Sequence, residues 1–146
     1  MFTPKNTGYE SRVRASFANQ KIMSTLGGSI TSVEPGRVIL EMPFNANFTQ
    51  QHGFLHAGAI TTMLDSAAGY AAFSLMAKDA EVLTIELKTS LMSPALGDHF
   101  RFEGKVVKSG RTISFCEADA YALSSGKEKR IASMTATMMA VTDRRD

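Results

Sequence analysis

The 146-residue sequence has one cysteine, no tryptophan and little net charge, and these shortages exclude several classes of protein. Because Cys116 is alone, no disulfide can form within the chain, and we expect a reducing compartment, the cytoplasm. The net charge is only +2 and no dense block of Lys and Arg occurs, so nucleic-acid binding is not indicated. The first ten residues lack a basic segment followed by an apolar one, and we expect no secretory signal.

Long apolar runs are also scarce. The longest weakly polar stretch, residues 57–77, approaches the length of a membrane-spanning helix. Polar residues such as Asp65, Ser66 and Ser74 interrupt it, and each would be costly in lipid. We therefore predict a helix in a protein core and no membrane contact. A hydrophobic fraction of 44% and the chain length predict a single globular domain over residues 1–146.

Periodicity predicts an α+β fold in which an antiparallel sheet wraps around a long central helix. Loosely helical spacing of apolar residues predicts a short helix over about 11–26, before an LGGS break. The long helix is expected to begin near Ala57 and to end near the KDAE stretch at 78–81. Because this helix is apolar on nearly every side, the sheet must curl around it.

The predicted strands come from alternation of apolar and polar residues. In the third strand, Leu83, Ile85, Leu87 and Leu91 are predicted to share one face. Turn residues between the segments indicate consecutive hairpins, and hence antiparallel pairing. The six expected strands cover residues 29–34, 37–42, 81–92, 98–108, 111–123 and 129–141.

Asp65 is the only charged residue between Ala57 and Ala77. A buried carboxylate without a partner costs several kcal/mol, so we favour a functional role over an incidental one. The start of the same helix offers unpaired backbone N–H groups and a partial positive charge, which suit a polarised carbonyl. Ala57 and Gly58 are small enough for a ligand to approach this backbone. His56 either orients the turn by hydrogen bonding or is a packed structural residue.

The spacing between the acid and the helix start predicts a shared site. Eight residues of helix separate the Ala57 amide from Asp65 by about 12 Å. One reacting carbonyl cannot contact both groups of the same chain. If two chains pair with their helices antiparallel, the amide of one meets the acid of the other, which gives two sites per twofold dimer.

The stretch HAGAITTMLD, residues 56–65, resembles the HGG…D signature of hotdog-fold acyl-CoA thioesterases, particularly the phenylacetyl-CoA thioesterase (PaaI-like) branch. The similarity covers about residues 37–141 and includes LMSPA at 91–95. It implies a hotdog fold, an acyl-CoA substrate, no separate cofactor, and dimers that often associate into homotetramers. By position, Asp65 would activate water or attack the thioester directly, and the Ala57 N–H would polarise its carbonyl.

The same resemblance implies further site residues. Gln50 stands where relatives often have an Asn that holds the nucleophilic water, and neighbouring Gln51 is a rival for this role. Thr84 falls where relatives can carry a hydroxyl near that water. Ala57 replaces the first Gly of the signature, which is tolerated if only its amide is needed.

The charged residues around Gly110 and the histidine pair His52 and His56 each allow a structural and a functional interpretation. Lys108 and Arg111 flank Gly110 and are either solvated turn charges or, as the resemblance implies, contacts to the phosphates of coenzyme A. His52 and His56 are four residues apart, but Gly53 and the turn-like context argue against a helix, and the HExxH glutamate is absent. We therefore predict no metal site.

Three functions remain open from the sequence. The first is hydrolysis of a small aryl- or medium-chain acyl-CoA thioester. The second is an enoyl-CoA hydratase or dehydratase of hotdog fold, for which a His/Asp pair would be favoured. The third is a non-catalytic acyl-CoA-binding domain. Cys116 lies among alternating strand residues and is interpreted as packing rather than as a nucleophile.

Overall fold

The computed structural model describes residues 1–142 and contains three α-helices and six strands within them. A single 3-10 turn, Ala46–Phe48, follows the second strand. The elements are α1 (Tyr9–Asn19), α2 (Lys21–Leu26), β1 (Ser29–Glu34), β2 (Arg37–Pro43), α3 (Ala57–Phe73), β3 (Ala80–Leu91), β4 (His99–Ser109), β5 (Ile113–Ser124) and β6 (Lys127–Thr142). The predicted α+β class is confirmed.

The six strands form one sheet with the order β1-β2-β4-β5-β6-β3, and every neighbouring pair is antiparallel. The two edges of this sheet differ in character. β1 has six residues and a register shift after Ile30, whereas β3 has twelve residues. The long edge strand β3 lies beside α3 and frames the candidate site described below.

The sheet packs its inner face on α3, as the apolar pattern predicts. Nearly every residue of α3 from Ile60 to Phe73 is buried, and Phe100 and Phe102 of β4 are fully buried on the facing side. β4 approaches the helix most closely at Gly104, where a Cβ atom would lie 2.2 Å from the carbonyl of Ala67. Within residues 1–142, no helix is long and apolar enough to cross a membrane.

The N-terminal helix predicted over 11–26 is instead two helices. Gln20 has φ −80° and ψ 98°, an extended conformation that ends α1 and begins α2. The prediction was wrong on this point because the apolar spacing continues across the break. At this break the side chain of Gln20 contacts α3, where Ser66 Oγ donates a hydrogen bond to Gln20 Oε1 at 3.1 Å.

The central helix also ends earlier than residues 78–81. It stops at Phe73, and the next residue, Ser74, is buried with its hydroxyl bonded to Ala71 O and to the Gly36 N–H. The guanidinium of Arg12 lies over the Phe73 ring and donates to the carbonyl oxygens of two residues in the following turn, Ala77 and Ala80. These tertiary contacts hold the chain out of the helix.

A bulge in β3 changes which residues share a face. The register with β6 shifts between Thr84 and Glu86, so Thr84 is opposite buried Met138 and Leu87 is opposite buried Ala136. Leu83 pairs with Met139 one position away and therefore points to the other face. The prediction that Leu83 and Leu87 share a face was wrong, because a bulge interrupts strict alternation.

Candidate active site

Asp65 lies halfway along α3, on the face that packs against the edge strand β3. Thr84 Oγ1 donates a hydrogen bond to Asp65 Oδ1 at 2.7 Å. One helical turn earlier on the same face, Thr61 Oγ1 donates to Thr89 Oγ1 at 3.2 Å. Asp65 is only partly buried in the single chain. Its carboxylate therefore has one oxygen fixed by a hydroxyl and the other available for water or a carbonyl.

His56 caps the N-terminus of α3. Its φ of −63° and ψ of 141° are outside the helix, and its Nδ1 accepts a hydrogen bond from the Gly58 N–H at 2.8 Å. An accepting Nδ1 requires the neutral ring with its proton on Nε2. A Cβ at position 58 would lie 3.0 Å from this nitrogen, which explains the glycine. His56 is exposed, so it orients the turn and is not a packed core residue.

Ala57 is the first residue of α3, and its backbone N–H has no hydrogen-bond partner among residues 1–142. Ala57 lines a cleft of about 380 Å³, the amide cleft, together with residues that include Gln50, Ile60, Leu91 and Met92. A free N–H at the positive end of a helix is suited to hold a carbonyl oxygen that gains negative charge. Gln50 is within this cleft.

The neighbouring Gln51 is exposed and is not part of that cleft lining, so the position of Gln50 favours it over its rival. The Gln50 side-chain oxygen accepts the backbone N–H of His52, which ties it to its own loop. A Gly53 N–H to Gln50 O bond at 3.0 Å closes the same turn. This conformation is not helical, as expected, and within the described chain no cluster of His, Cys, Asp and Glu could hold a metal.

A second cleft, of about 280 Å³, contains Asp65 and Thr84. The carboxylate and the Ala57 amide thus belong to different clefts of one chain, in agreement with the spacing of about 12 Å along the helix. Further residues of α1, α3, β3 and the α1–α2 junction complete the Asp65 cleft, and no motif in the sequence marks them as site residues. These residues are Ser16, Gln20, Ser66, Gly69, Tyr70, Glu81, Val82 and Leu83.

Tyr70 supplies a neutral hydroxyl to this second cleft. Burial raises the pKa of Tyr70 above its ordinary value, against a smaller opposite effect of its hydrogen bond with Ser16. The two hydroxyl oxygens are 3.3 Å apart. The phenol therefore stays protonated near neutral pH and can donate a hydrogen bond.

The three residues suggested for phosphate contacts are only partly brought together. Gly110 is required by its turn, because a Cβ there would lie 2.5 Å from Ile113 O. Gly110 and Arg111 line a cleft of about 500 Å³ near the C-terminal end of α3, and Lys5 contributes a second cation. Lys108 is exposed on β4 and is not part of this lining. No sequence signal links Lys5 to this turn.

Cys116 is not suited to nucleophilic catalysis. It is buried under the sheet, and burial raises the pKa of its thiol to about 12. The thiolate is therefore absent at neutral pH, and the packing interpretation is favoured.

A carboxylate held by a hydroxyl can activate water or attack a carbonyl, and a free backbone N–H at a helix start can stabilise an oxyanion. Both groups are suited to transfer of an acyl group to water. Comparison with known proteins agrees. The model of the thioesterase superfamily matches residues 52–129, a range that includes Ala57, Asp65 and Thr84. The chain belongs to the thioesterase superfamily and is a thioester hydrolase of hotdog fold.

Individual relatives support this assignment. A thioesterase family protein from Silicibacter pomeroyi is 55% identical, with a TM-score of 0.91 over 92% of this chain and 99% of that one. Acyl-coenzyme A thioesterase 13 of Homo sapiens is 30% identical over 68% of this chain and 71% of its own length. The E. coli PaaI protein from the phenylacetic acid degradation operon is 17% identical with a TM-score of 0.84 over 94% and 96%, which shows a shared fold.

Proposed function

We propose that this protein hydrolyses the thioester of a small aryl- or medium-chain acyl-CoA, with Asp65 and the Ala57 amide as the reacting groups. The observation that carries the proposal is one helix with a carboxylate held by Thr84 of β3 and a free backbone N–H at its first residue. The human relative is named for acyl-coenzyme A thioesters, which supports coenzyme A as the leaving group. The proposal includes a cytoplasmic location and no separate cofactor.

The chemistry needs only these groups and water. In one route Asp65 removes a proton from water as it attacks the thioester carbon, and the Ala57 N–H stabilises the oxyanion of the tetrahedral intermediate. Collapse expels the coenzyme A thiolate, which takes up the proton. In the other route the carboxylate attacks directly, and water then hydrolyses the resulting anhydride. Gln50 lines the amide cleft, which supports its proposed role of holding the water.

The two groups act together if two chains share each site. β3 is an edge strand with twelve residues, and on its helix side Leu87 and Leu91 are 38% and 55% exposed. A long apolar edge is a template for pairing with another strand. The other edge, β1, is shorter and irregular. We infer that β3 pairs with β3 of a second copy to form a homodimer.

The expected register of that pairing can be derived from the clefts. Thr84 borders the Asp65 cleft and Leu91 borders the Ala57 cleft. Because Ile85 is the extra residue of the bulge, Lys88 is midway along the ladder between Thr84 and Leu91. Antiparallel pairing about a twofold axis at Lys88, next to Leu87, places Thr84 of one copy opposite Leu91 of the other. The carboxylate of each copy then faces the partner's helix start. Association of two dimers into a homotetramer is part of the proposal and is decided by mass measurement in solution.

The basic cleft supports a place for the phosphates of coenzyme A. Arg111 and Lys5 line it together, and hydroxyl residues including Ser114 and Thr112 complete it. Cations and hydroxyl donors are the groups that bind phosphate. Lys108 lies outside the lining, so we assign it a lesser part than Arg111.

Replacement of the acid tests the central role. Asp65→Asn keeps the size of the side chain and its bond from Thr84, and we expect an unchanged melting temperature with kcat reduced about 10²–10⁴-fold. Release of free thiol from a panel of aryl- and alkyl-CoA thioesters measures this. Asp79→Asn, an exposed acid in the turn after α3, is the matched control. Full activity of the Asp65 variant on every thioester would disprove the assignment.

Mixing two inactive variants tests the shared site. Ala57→Pro removes the backbone N–H, yet proline is favoured at the first position of a helix and the ψ of His56 suits a residue before proline. Alone, we expect this variant and Asp65→Asn each to be nearly inactive. Refolded together, they should recover about one quarter of wild-type activity, because half of the dimers are mixed and one site in two is intact. No recovery in verified mixed dimers would place the site within one chain.

The same preparations test the hydratase alternative. His56 Nδ1 is engaged by the Gly58 N–H, so this ring is used for capping rather than for an Asp65 pair within the chain. Hydration of an enoyl-CoA without thiol release would favour the hydratase function.

A further inference from the structure

The Asp65 cleft extends away from the carboxylate toward α1. Its far wall is polar and held by two internal hydrogen bonds, between Ser66 and Gln20 at 3.1 Å and between Ser16 and Tyr70 at 3.3 Å. The cleft is about 280 Å³, at the small end of ligand pockets. It therefore offers limited room beside the reacting acid.

Charge decides which end of an acyl-CoA this cleft can receive. The residues that line it include the carboxylates of Asp65 and Glu81 and, within the described chain, no Lys or Arg. The Arg12 guanidinium, which is not part of the lining, interacts with Glu81 and offsets part of its charge, whereas Asp65 has no such cation within residues 1–142. The remaining negative charge repels the phosphates of coenzyme A and any acyl chain that ends in a carboxylate. The cations of the separate Arg111 cleft suit the phosphates instead. The Asp65 cleft is thus left for the acyl end.

Gly69 has no structural reason to be glycine. It lies inside α3, where glycine lowers helix stability relative to alanine. Its φ is not positive, and a Cβ built there meets no atom within 4 Å. By contrast, Gly104 is required because a Cβ would collide with α3. The space at Gly69 opens into the Asp65 cleft, one helical turn beyond the acid.

We propose that the Asp65 cleft receives the acyl group of the substrate, that Gly69 makes the room for it, and that the accepted acyl groups are uncharged and no longer than medium chains. This inference rests on the proposed function. Gly69 is a specificity-determining residue: its missing side chain sets the depth available beyond the thioester carbon. Glu81 at the same cleft sets the charge rule.

Gly69→Ala tests the length rule. We expect an equal or higher melting temperature, because alanine favours the helix and meets no neighbour. On straight-chain thioesters from acetyl- to decanoyl-CoA, kcat/KM should fall by about tenfold or more for the longest chain that the wild type accepts. For acetyl-CoA it should change less than about threefold. Ala18→Leu adds bulk to exposed α1 outside the cleft and should leave the profile unchanged.

Two thioesters of similar length, one ending in a carboxylate, test whether the cleft accepts only uncharged acyl groups. The wild type should prefer pentanoyl-CoA to succinyl-CoA, which has similar length but ends in a carboxylate, and Glu81→Gln should narrow this preference. Equal use of the two thioesters by the wild type would overturn the charge rule. A Gly69→Ala profile parallel to that of the wild type would overturn the length rule. A higher Ki for free CoA with an unchanged acyl profile would place Gly69 beside pantetheine and overturn the assignment.

Failure of the proposed function is distinguishable from failure of this inference. If the wild type released no thiol from any acyl-CoA, hydrolysis itself would be disproved. Binding of S-alkyl-CoA thioethers, measured by calorimetry, requires no turnover. Gly69→Ala should weaken binding of the longer thioethers by about tenfold and leave S-ethyl-CoA unaffected. Equal Kd values for all of them in both proteins would overturn the inference whatever the enzyme hydrolyses.

Discussion

At the scale of single residues, the imidazole of His56 decides which amide remains free at the start of α3. A helix start exposes several N–H groups, and the ring accepts the one from Gly58. The Ala57 N–H is left without a partner in the described chain, and Ala57 lines the amide cleft. His56 thus leaves free the Ala57 amide, which we propose as the group that binds the thioester carbonyl, and needs no contact with the substrate itself.

Removal of this cap should lower stability in a way that another acceptor restores. We expect His56→Ala to reduce the free energy of unfolding by about 1 kcal/mol, since the Gly58 N–H loses its partner. His56→Asn, whose side-chain oxygen is a favoured N-cap acceptor, should recover most of the loss. Urea unfolding followed by circular dichroism measures both. Equal destabilisation by the two substitutions would contradict a capping role.

At the scale of secondary-structure elements, the contact between α3 and β4 fixes how closely the sheet wraps the helix. The backbone of β4 reaches the Ala67 carbonyl because position 104 has no side chain. This close approach aligns α3 against the sheet and, through the same helix, places Asp65 beside Thr84. The site therefore depends on a glycine that is remote from the chemistry.

Gly104→Ala should be strongly destabilising. A Cβ 2.2 Å from the Ala67 carbonyl forces α3 and β4 apart, and we expect a loss of about 3 kcal/mol or more in the free energy of unfolding. Gly69→Ala is the matched control, because the same substitution there meets no atom. Thermal unfolding of the two variants measures the contrast. A Gly104 variant as stable as the control would refute the close approach.

A charged network crosses the outer face of β2, β4 and the β5–β6 hairpin. Glu103 accepts from Arg37 Nε at 2.7 Å and from an Arg101 nitrogen at 2.9 Å, and these bonds, led by that from Arg37, hold the pKa of Glu103 below its ordinary value. A carboxyl whose pKa is lower in the folded than in the unfolded protein contributes stability, and this contribution is complete at pH values above the pKa of the unfolded state. That stabilisation is lost as the pH falls through the folded value.

The matching substitution should remove part of the acid sensitivity of folding. We expect Glu103→Gln to be less stable than the wild type at pH 7 by about 1 kcal/mol, since Glu103 and Arg37 keep 24% and 39% of their side chains exposed and solvent screens the ion pair. The difference should shrink as the pH falls below about 4.5, the ordinary value for this carboxyl. Urea midpoints measured between pH 3 and pH 7 check this. A constant difference across that range would show that the ion pairs are not its cause.

At the scale of the whole molecule, the proposed pairing of β3 edges would make activity depend on assembly. Leu87 lies near the middle of this strand on the side of α3, where we expect the twofold axis. Leu87→Lys should convert the protein to monomers in light scattering and abolish most thiol release, while circular dichroism stays unchanged. Val107→Lys places the same charge on an interior strand, at an apolar residue that is 56% exposed against 38% for Leu87, and should preserve the proposed β3 dimer. An active monomer would contradict the shared site.

The amino-acid sequence by itself determined the α+β class, the order of the elements and the isolated acid on the core helix. These features follow from local patterns, since alternation every two residues marks strands and one charge in an apolar run marks a special position. The hotdog resemblance of residues 56–65 belongs to the same local level, and the thioesterase family is confirmed.

Only the tertiary structure decided how the site is oriented. The bulge after Thr84 turns its hydroxyl toward Asp65, the break at Gln20 closes the far wall of the cleft, and Lys5 joins Arg111. A bulge depends on the register with a partner strand, and the other two features depend on contacts between segments distant in the chain. Local periodicity does not encode these three features, because each depends on contacts that form only when the sheet packs around α3.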